Sequence, residues 1–322
     1  MMNQWKYKHL IKKGLRHESS GAACQDYICT AEDDNCIVIA LCDGIGSLPA
    51  SGLAAQYTAE AACRMMQNCA AGDFRPHVLE QDELLKAILL NINALLEKKL
   101  SAQGIDRHQG DSTLAFVCVS KLYNFCYAVC LGDSAVCLMK RSGCHCLTES
   151  NSCSESTATV DMKEPWSFAK QTIVELDSDD FWGAILTSDG LDGEIYAKDS
   201  TIVYKASELY FNAMLAESFD DAVNERLDVL CKDYGDYFDD DISVAVISRV
   251  EQRVLLREDP TWLCRCGERN ALAETYCHLC GSDFIDVYRR VNFEKCGGKT
   301  RFFRYANGHP DFEKKAIGME PQ

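Results

Sequence analysis

No stretch of the 322-residue chain approaches the roughly 20 consecutive apolar residues that a membrane-spanning helix needs. The opening "MMNQWKYKHLIKKGL" has no sustained apolar segment, so no secretory signal peptide is expected. Positive charge is also short: 33 Lys+Arg stand against 49 Asp+Glu, a net charge of −16. The deficit is uneven. Residues 1–250 hold 21 Lys+Arg and 38 Asp+Glu, a balance of −17, whereas residues 251–322 hold 12 and 11, a balance of +1. A broad basic face for nucleic acid is therefore excluded from the larger part. Regular alternation of strand and helix is missing as well, which argues against a doubly wound parallel sheet. His9, His77, His108 and His145 have no partner at metal-ligand spacing and read as surface or packing residues. The "CGGKT" at 296–300 is no phosphate loop, because Phe293 stands where the required glycine would be.

Cysteine, by contrast, is abundant, with 19 residues. Nothing marks the chain as secreted, and Cys118, Cys126, Cys130 and Cys137 sit inside apolar strands, where a thiol behaves as a small hydrophobe. A reducing, cytoplasmic location is expected. With 47% hydrophobic and 25% charged residues, the chain can bury a real core.

Residues 5–42 read as a strand, a polar loop "RHESSGAACQD" and two more strands. Helical composition follows Asp43. "DELLKAILLNINALLEKKL" (82–100) is the clearest helix: Leu84, Leu85, Ile88, Leu89, Ile92, Leu95 and Leu96 form one apolar face, and Lys98 and Lys99 suit its C-terminal end. Strands are expected at 112–120, 124–131, 135–140, 145–149, 172–176, 184–188 and 242–250. The Ser/Thr-rich segment "SNSCSESTATVDMKEPW" (150–166) reads as a surface flap, and 219–235 as an amphipathic helix ending at Gly235. Antiparallel sheets with flanking helices fit this order.

Four strand ends carry carboxylates. "CIVIALCDGIGSLPASG" (36–52) runs from a buried strand into Asp43-Gly44. "AILTSDGLDGE" (184–194) repeats that grammar at Asp189-Gly190, "VCLGDSAVCL" (129–138) places Asp133 between two strands, and "FDDDISVAVISRV" (238–250) opens a strand from an acidic cluster. A buried carboxylate without a partner is costly. Carboxylate oxygens are hard ligands that suit magnesium or manganese, and gathered at strand ends they can hold two ions that activate a water.

Gln25-Asp26, Asp43-Gly44, Ser112-Thr113, Gly132-Asp133-Ser134, Ser188-Asp189-Gly190 and Asp240-Asp241 occur in the order of the type 2C, metal-dependent protein phosphatases. Residues 14–250 resemble that family, and "GLRHESSGAACQD" is most similar to its bacterial members. The resemblance implies an α+β fold, a four-layer αββα sandwich of two antiparallel sheets flanked by helices, with a dinuclear Mn/Mg site between the sheet ends. It implies that Asp43 bridges two ions, that the Gly44 carbonyl binds the second, and that Asp189 and Asp240 complete the first. Asp26 matches a carboxylate holding metal-bound water, and Asp133 a residue that with Asp189 holds a third ion. The chain departs from many relatives at Gln25, where they carry Glu, and at Gly21, where they carry a phosphate-binding Arg. Arg16 or His17 is the replacement.

The activity so implied is protein serine/threonine phosphatase action on a phosphorylated protein, with a cognate kinase as counterpart. Phosphate monoester hydrolysis needs acceleration by up to about 10²¹-fold, and two divalent ions meet that need without a covalent nucleophile. No phosphate-cradling loop follows any strand cysteine, so thiol-based chemistry is not expected. The alternative is a catalytically weak adaptor that binds phosphoproteins and acts through its C-terminal module.

That module is "WLCRCGERNALAETYCHLCGSDF" (262–284). Cys264-x-Cys266, ten residues, then Cys277-x-x-Cys280 supplies four thiolates suited to one structural zinc ion. A unit this short depends on metal for its stability. Trp262 and Asn270 make it resemble the Ran-binding-protein type zinc finger, whose relatives bind RNA or ubiquitin. A zinc ribbon that docks a protein partner is preferred, since the near-neutral tail offers little to RNA. The expected organisation is a catalytic domain over 1–250, a linker over 251–260, the ribbon over 261–285 and a tail over 286–322.

Overall fold

A computed structural model of the chain describes residues 5–72, 81–140, 143–148, 157–176, 181–191, 240–249, 261–263 and 269–271. Among the described residues, ten strands form two antiparallel five-stranded sheets. One contains β1 (Trp5–Lys12), β10 (Ile242–Arg249), β9 (Phe181–Thr187), β6 (Ala135–Lys140) and β7 (Gly143–Thr148), in that order. The other contains β2 (Asp26–Glu32), β3 (Cys36–Asp43), β4 (Leu114–Ser120), β5 (Phe125–Leu131) and β8 (Lys170–Glu175). Helices α2 (Ser51–Ala71) and α3 (Gln81–Ser101) cover the outer face of the second sheet.

The second sheet is enclosed on both faces, which explains why β3, β4 and β5 read as continuous apolar runs. Side chains alternate along each strand. Ile37, Ile39 and Leu41 of β3 join Ala115, Val117 and Val119 of β4 in the core between the sheets. Their neighbours Val38, Ala40, Phe116 and Cys118 pack instead on the helices. From α3 come Leu84, Leu85, Ile88, Leu89, Ile92 and Leu96, one side of a 3.6-residue period, with Leu95 half-buried at its margin. Each fully buried side chain of this size contributes about 1.5–3 kcal/mol relative to exposure. The strand cysteines Cys118, Cys126, Cys130 and Cys137 are buried, in keeping with a role as small hydrophobes.

Two expectations need correction. The polar loop after β1 contains a helix, α1 (Leu15–Ser20), closed by Gly21 at φ +72° in the left-handed region that glycine adopts without strain. Its six residues are too few for an apolar period to show. The segment read as a surface flap is in part core: Ala158, Thr159 and Val160 are buried, and Val160 N–H donates to Ser112 O at 3.1 Å. Thr157 Oγ1 donates to Asp133 Oδ2 at 2.6 Å.

The helix expected at 219–235 and the flanking helical layer on the first sheet lie outside the described residues. So do Cys264, Cys266, Cys277 and Cys280. In the C-terminal region, β11 (Thr261–Leu263) pairs antiparallel with β12 (Arg269–Ala271), with Trp262 opposite Asn270.

Candidate active site

The carboxylates converge because strands from both sheets end in one place. Asp26 opens β2 and Asp43 closes β3, and antiparallel register sets them directly opposite each other. Asp189 follows β9 and Asp240-Asp241 precedes β10, the two neighbouring strands of the other sheet. Asp133 sits in the turn from β5 to β6, where the chain passes between the sheets.

Backbone and hydroxyl contacts hold these ends. Thr113 Oγ1 accepts from Asp43 N–H at 3.0 Å, Thr113 N–H donates to Asp43 O at 2.9 Å, and the Thr113 and Ser134 hydroxyls lie 3.2 Å apart. Gly44 N–H donates to Gln25 O at 3.1 Å, tying β3 to the start of β2. A Cβ on Gly44 would lie 2.7 Å from the Ser51 carbonyl group, so only glycine lets α2 begin this close. On the other sheet Ser188 N–H donates to Ser243 O at 3.0 Å and Ser243 N–H to Ser188 Oγ at 2.9 Å. A Cβ on Gly190 would collide with the Asp241 carbonyl.

One oxygen from each of Asp43, Asp133 and Asp189 lies within 4.8 Å of the others. Burial, then the charges of Asp26 and Asp189, push the Asp43 carboxyl well above the usual carboxylate range. Burial likewise pushes Asp26 up to about 6, against the opposing pull of the Ser243 and Ser188 hydroxyls. Its Oδ2 is buried with no hydrogen-bond partner among the described residues. Three converging carboxylates beside a fourth, with an orphaned buried oxygen, fit hard divalent cations, which take oxygen ligands and relieve this repulsion.

The other candidates form a second cluster. His17, Asp240 and Asp241 also bring one ligand atom each within 4.8 Å. Arg16 Nη2 contacts Asp240 Oδ2 at 3.2 Å, with both side chains well exposed. His17 is buried, its Nδ1 2.9 Å from Asp241 Oδ2. Asp241 accepts from Gly14 N–H at 2.7 Å and Gln25 N–H at 2.6 Å. Burial raises its pKa, but these donors and His17 outweigh burial and leave it below the ordinary value. Asp241 thus clamps α1 and the start of β2 to β10. The sequence carried Asp241 only as half of a motif, and nothing in it marked this clamp.

Residues 13–230 match the family described as Protein phosphatase 2C, more than half of the 322 residues. No curated protein matches the chain in sequence. Among solved structures, the fold is similar to the catalytic domain of the serine threonine protein phosphatase PstP in complex with two manganese ions. That likeness has TM-score 0.53 and 16% identity, over 76% of this chain and 98% of that one. It is also similar to the serine/threonine phosphatase Stp1 of Staphylococcus aureus, with TM-score 0.53 and 13% identity over 76% and 95% of the two chains. A third likeness is to PppA, a regulatory component of T6SS in Pseudomonas aeruginosa, with TM-score 0.53 and 14% identity over 77% and 99%. At such identities these structures speak for the fold, in agreement with the match over residues 13–230. The chain therefore belongs to the protein phosphatase 2C family of serine/threonine phosphatases.

Proposed function

We propose that this protein is a metal-dependent phosphatase that removes phosphate from serine and threonine residues of a phosphorylated protein, with a cognate kinase as its counterpart. The observation that carries the reading is the convergence of Asp43, Asp133 and Asp189 at the ends of strands from both sheets. Asp43, the Gly44 carbonyl, Asp189 and Asp240 are assigned to two Mn²⁺ or Mg²⁺ ions, and Asp133 with Asp189 to a third. The two manganese ions held by PstP on a similar fold support that assignment. Such ions, when bound, neutralise phosphate charge and lower the pKa of a water so that it attacks near neutral pH.

The chain's own residues do the rest. Asp26 Oδ2, buried and without a partner among the described residues, is the acceptor that holds a proton of the attacking water. Phosphate docking is assigned to Arg16, whose exposed guanidinium can grip two phosphate oxygens. It contacts Asp240 here and exchanges that carboxylate for substrate. His17, the other candidate, is buried against Asp241 and suits support of α1. The C-terminal ribbon, with one zinc ion on Cys264, Cys266, Cys277 and Cys280, is assigned to docking a protein partner.

The test is hydrolysis of a phosphothreonine peptide with and without Mn²⁺, using the wild-type chain and D189N. Turnover is expected only with the ion. The variant should lose at least about 100-fold, the upper end of what outer-shell changes cost. Activity of D189N close to wild type removes Asp189 from the site. A well-folded wild-type chain that binds the phosphopeptide and never hydrolyses it supports the adaptor reading instead.

A further inference from the structure

Asp133 stands in the turn between β5 and β6, and a residue outside that turn contacts its carboxylate. Thr157 Oγ1 donates to Asp133 Oδ2 at 2.6 Å. The residues that follow Thr157 form a strap fastened to the body of the protein. Ala158 and Val160 are buried in the core under the helices. Val160 N–H donates to Ser112 O at 3.1 Å, and Asp161 N–H to Asp111 Oδ1 at 3.2 Å. Asp161 Oδ1 lies 3.3 Å from Arg107 Nη2, whose guanidinium is itself held by Asn93 Oδ1 at 2.9 Å and 3.1 Å. Gly132 has φ +102°, and a Cβ there would lie 2.9 Å from Ala158 O. The turn and the strap therefore fit together with no room for a side chain between them.

We propose that Thr157 is a positioning residue for the metal centre: its hydroxyl fixes the plane of the Asp133 carboxylate so that an oxygen stays turned toward Asp43 and Asp189. A carboxylate ligand free to rotate loses order on binding an ion, and a hydrogen bond from a fastened neighbour removes that cost beforehand. Arg107 and Asp161 act one step further out, by keeping the strap down. The proposal rests on the metal-centre reading above.

The experiment is calorimetric titration of Mn²⁺ into the full-length wild-type chain and into T157V, T157S and D133N, each checked for fold by circular dichroism. T157V keeps the side-chain shape and lacks the hydroxyl. It should weaken the Asp133-dependent binding event by about tenfold, the lower end of the effect of losing an outer-shell partner. T157S keeps the hydroxyl and should bind within about twofold of wild type on the same scale. Wild-type Mn²⁺ binding by T157V overturns the proposal, as does equal weakening in T157V and T157S, which would implicate packing alone. Wild-type binding by D133N removes Asp133 as a ligand and the role of Thr157 with it, while leaving Asp43 and Asp189 standing. Failure of the wild-type chain to bind Mn²⁺ overturns the metal-centre reading itself.

Discussion

Arg16 and His17 are adjacent in sequence and have opposite surroundings. The Arg16 side chain is 58% exposed and that of His17 is 7% exposed. Arg16→Ala should therefore raise KM for a small aryl phosphate about tenfold, equivalent to ~1.4 kcal/mol of lost binding, with little change in melting temperature. His17→Ala should do the reverse. It removes a partner of a buried carboxylate and should destabilise by about 1–3 kcal/mol while KM stays near wild type, as thermal melts and initial rates will show. Gly44 is a further residue whose identity is dictated by space, because α2 begins 2.7 Å from where its Cβ would be. Gly44→Ala should displace the Gly44 carbonyl and weaken Mn²⁺ affinity in the calorimetric titration that tests Thr157.

At the level of elements, the helix-covered sheet dominates stability. Phe116 on β4 is fully buried, with its ring edge-on to Tyr127 on β5 and centroids 5.5 Å apart. Phe116→Ala should cost about 3–5 kcal/mol in chemical denaturation. Leu90 lies on α3 but on its solvent side, 51% exposed, and Leu90→Ala should stay within about 0.5 kcal/mol of wild type. The difference between two large apolar residues in neighbouring elements measures how completely one face of α3 is committed to the core. Most strands were legible as runs: β6 coincides with its expected span, and β4 and β5 begin within two residues of theirs. They were legible because burial on both faces requires apolar side chains at every position. Short α1 and the strap were not, since their residues are small or polar and their order comes from contacts with other segments.

For the whole molecule, binding of ions to the folded state alone should raise stability by mass action. At 100 times Kd, one Mn²⁺ adds about 2.7 kcal/mol, so the melting temperature should climb with Mn²⁺ concentration and D189N should blunt the climb. The C-terminal module carries none of the carboxylates of the site. Truncation at residue 252 should preserve Mn²⁺-dependent turnover of a small aryl phosphate and impair action on the protein substrate, and Cys277→Ser should mimic it. Loss of small-substrate turnover on truncation would make the removed C-terminal residues part of the enzyme's structure.

The sequence by itself determined the acidic strand ends, their order, the antiparallel character of the sheets and the helix at 82–100. Each is a local property: an apolar run, a period, or a carboxylate where a run stops. Tertiary structure decided which carboxylates meet and what holds them. Asp241 reaches across 227 positions to Gly14 and 216 to Gln25, and Thr157 reaches Asp133 across an intervening strand pair. It also separated Arg16 from His17, and placed part of an apparent flap, Ala158 to Val160, in the core. Such roles are set by hydrogen-bond partners far along the chain. A threonine that orients a ligand and a threonine in a solvated loop have the same side chain, and only the fold supplies the acceptor that tells them apart.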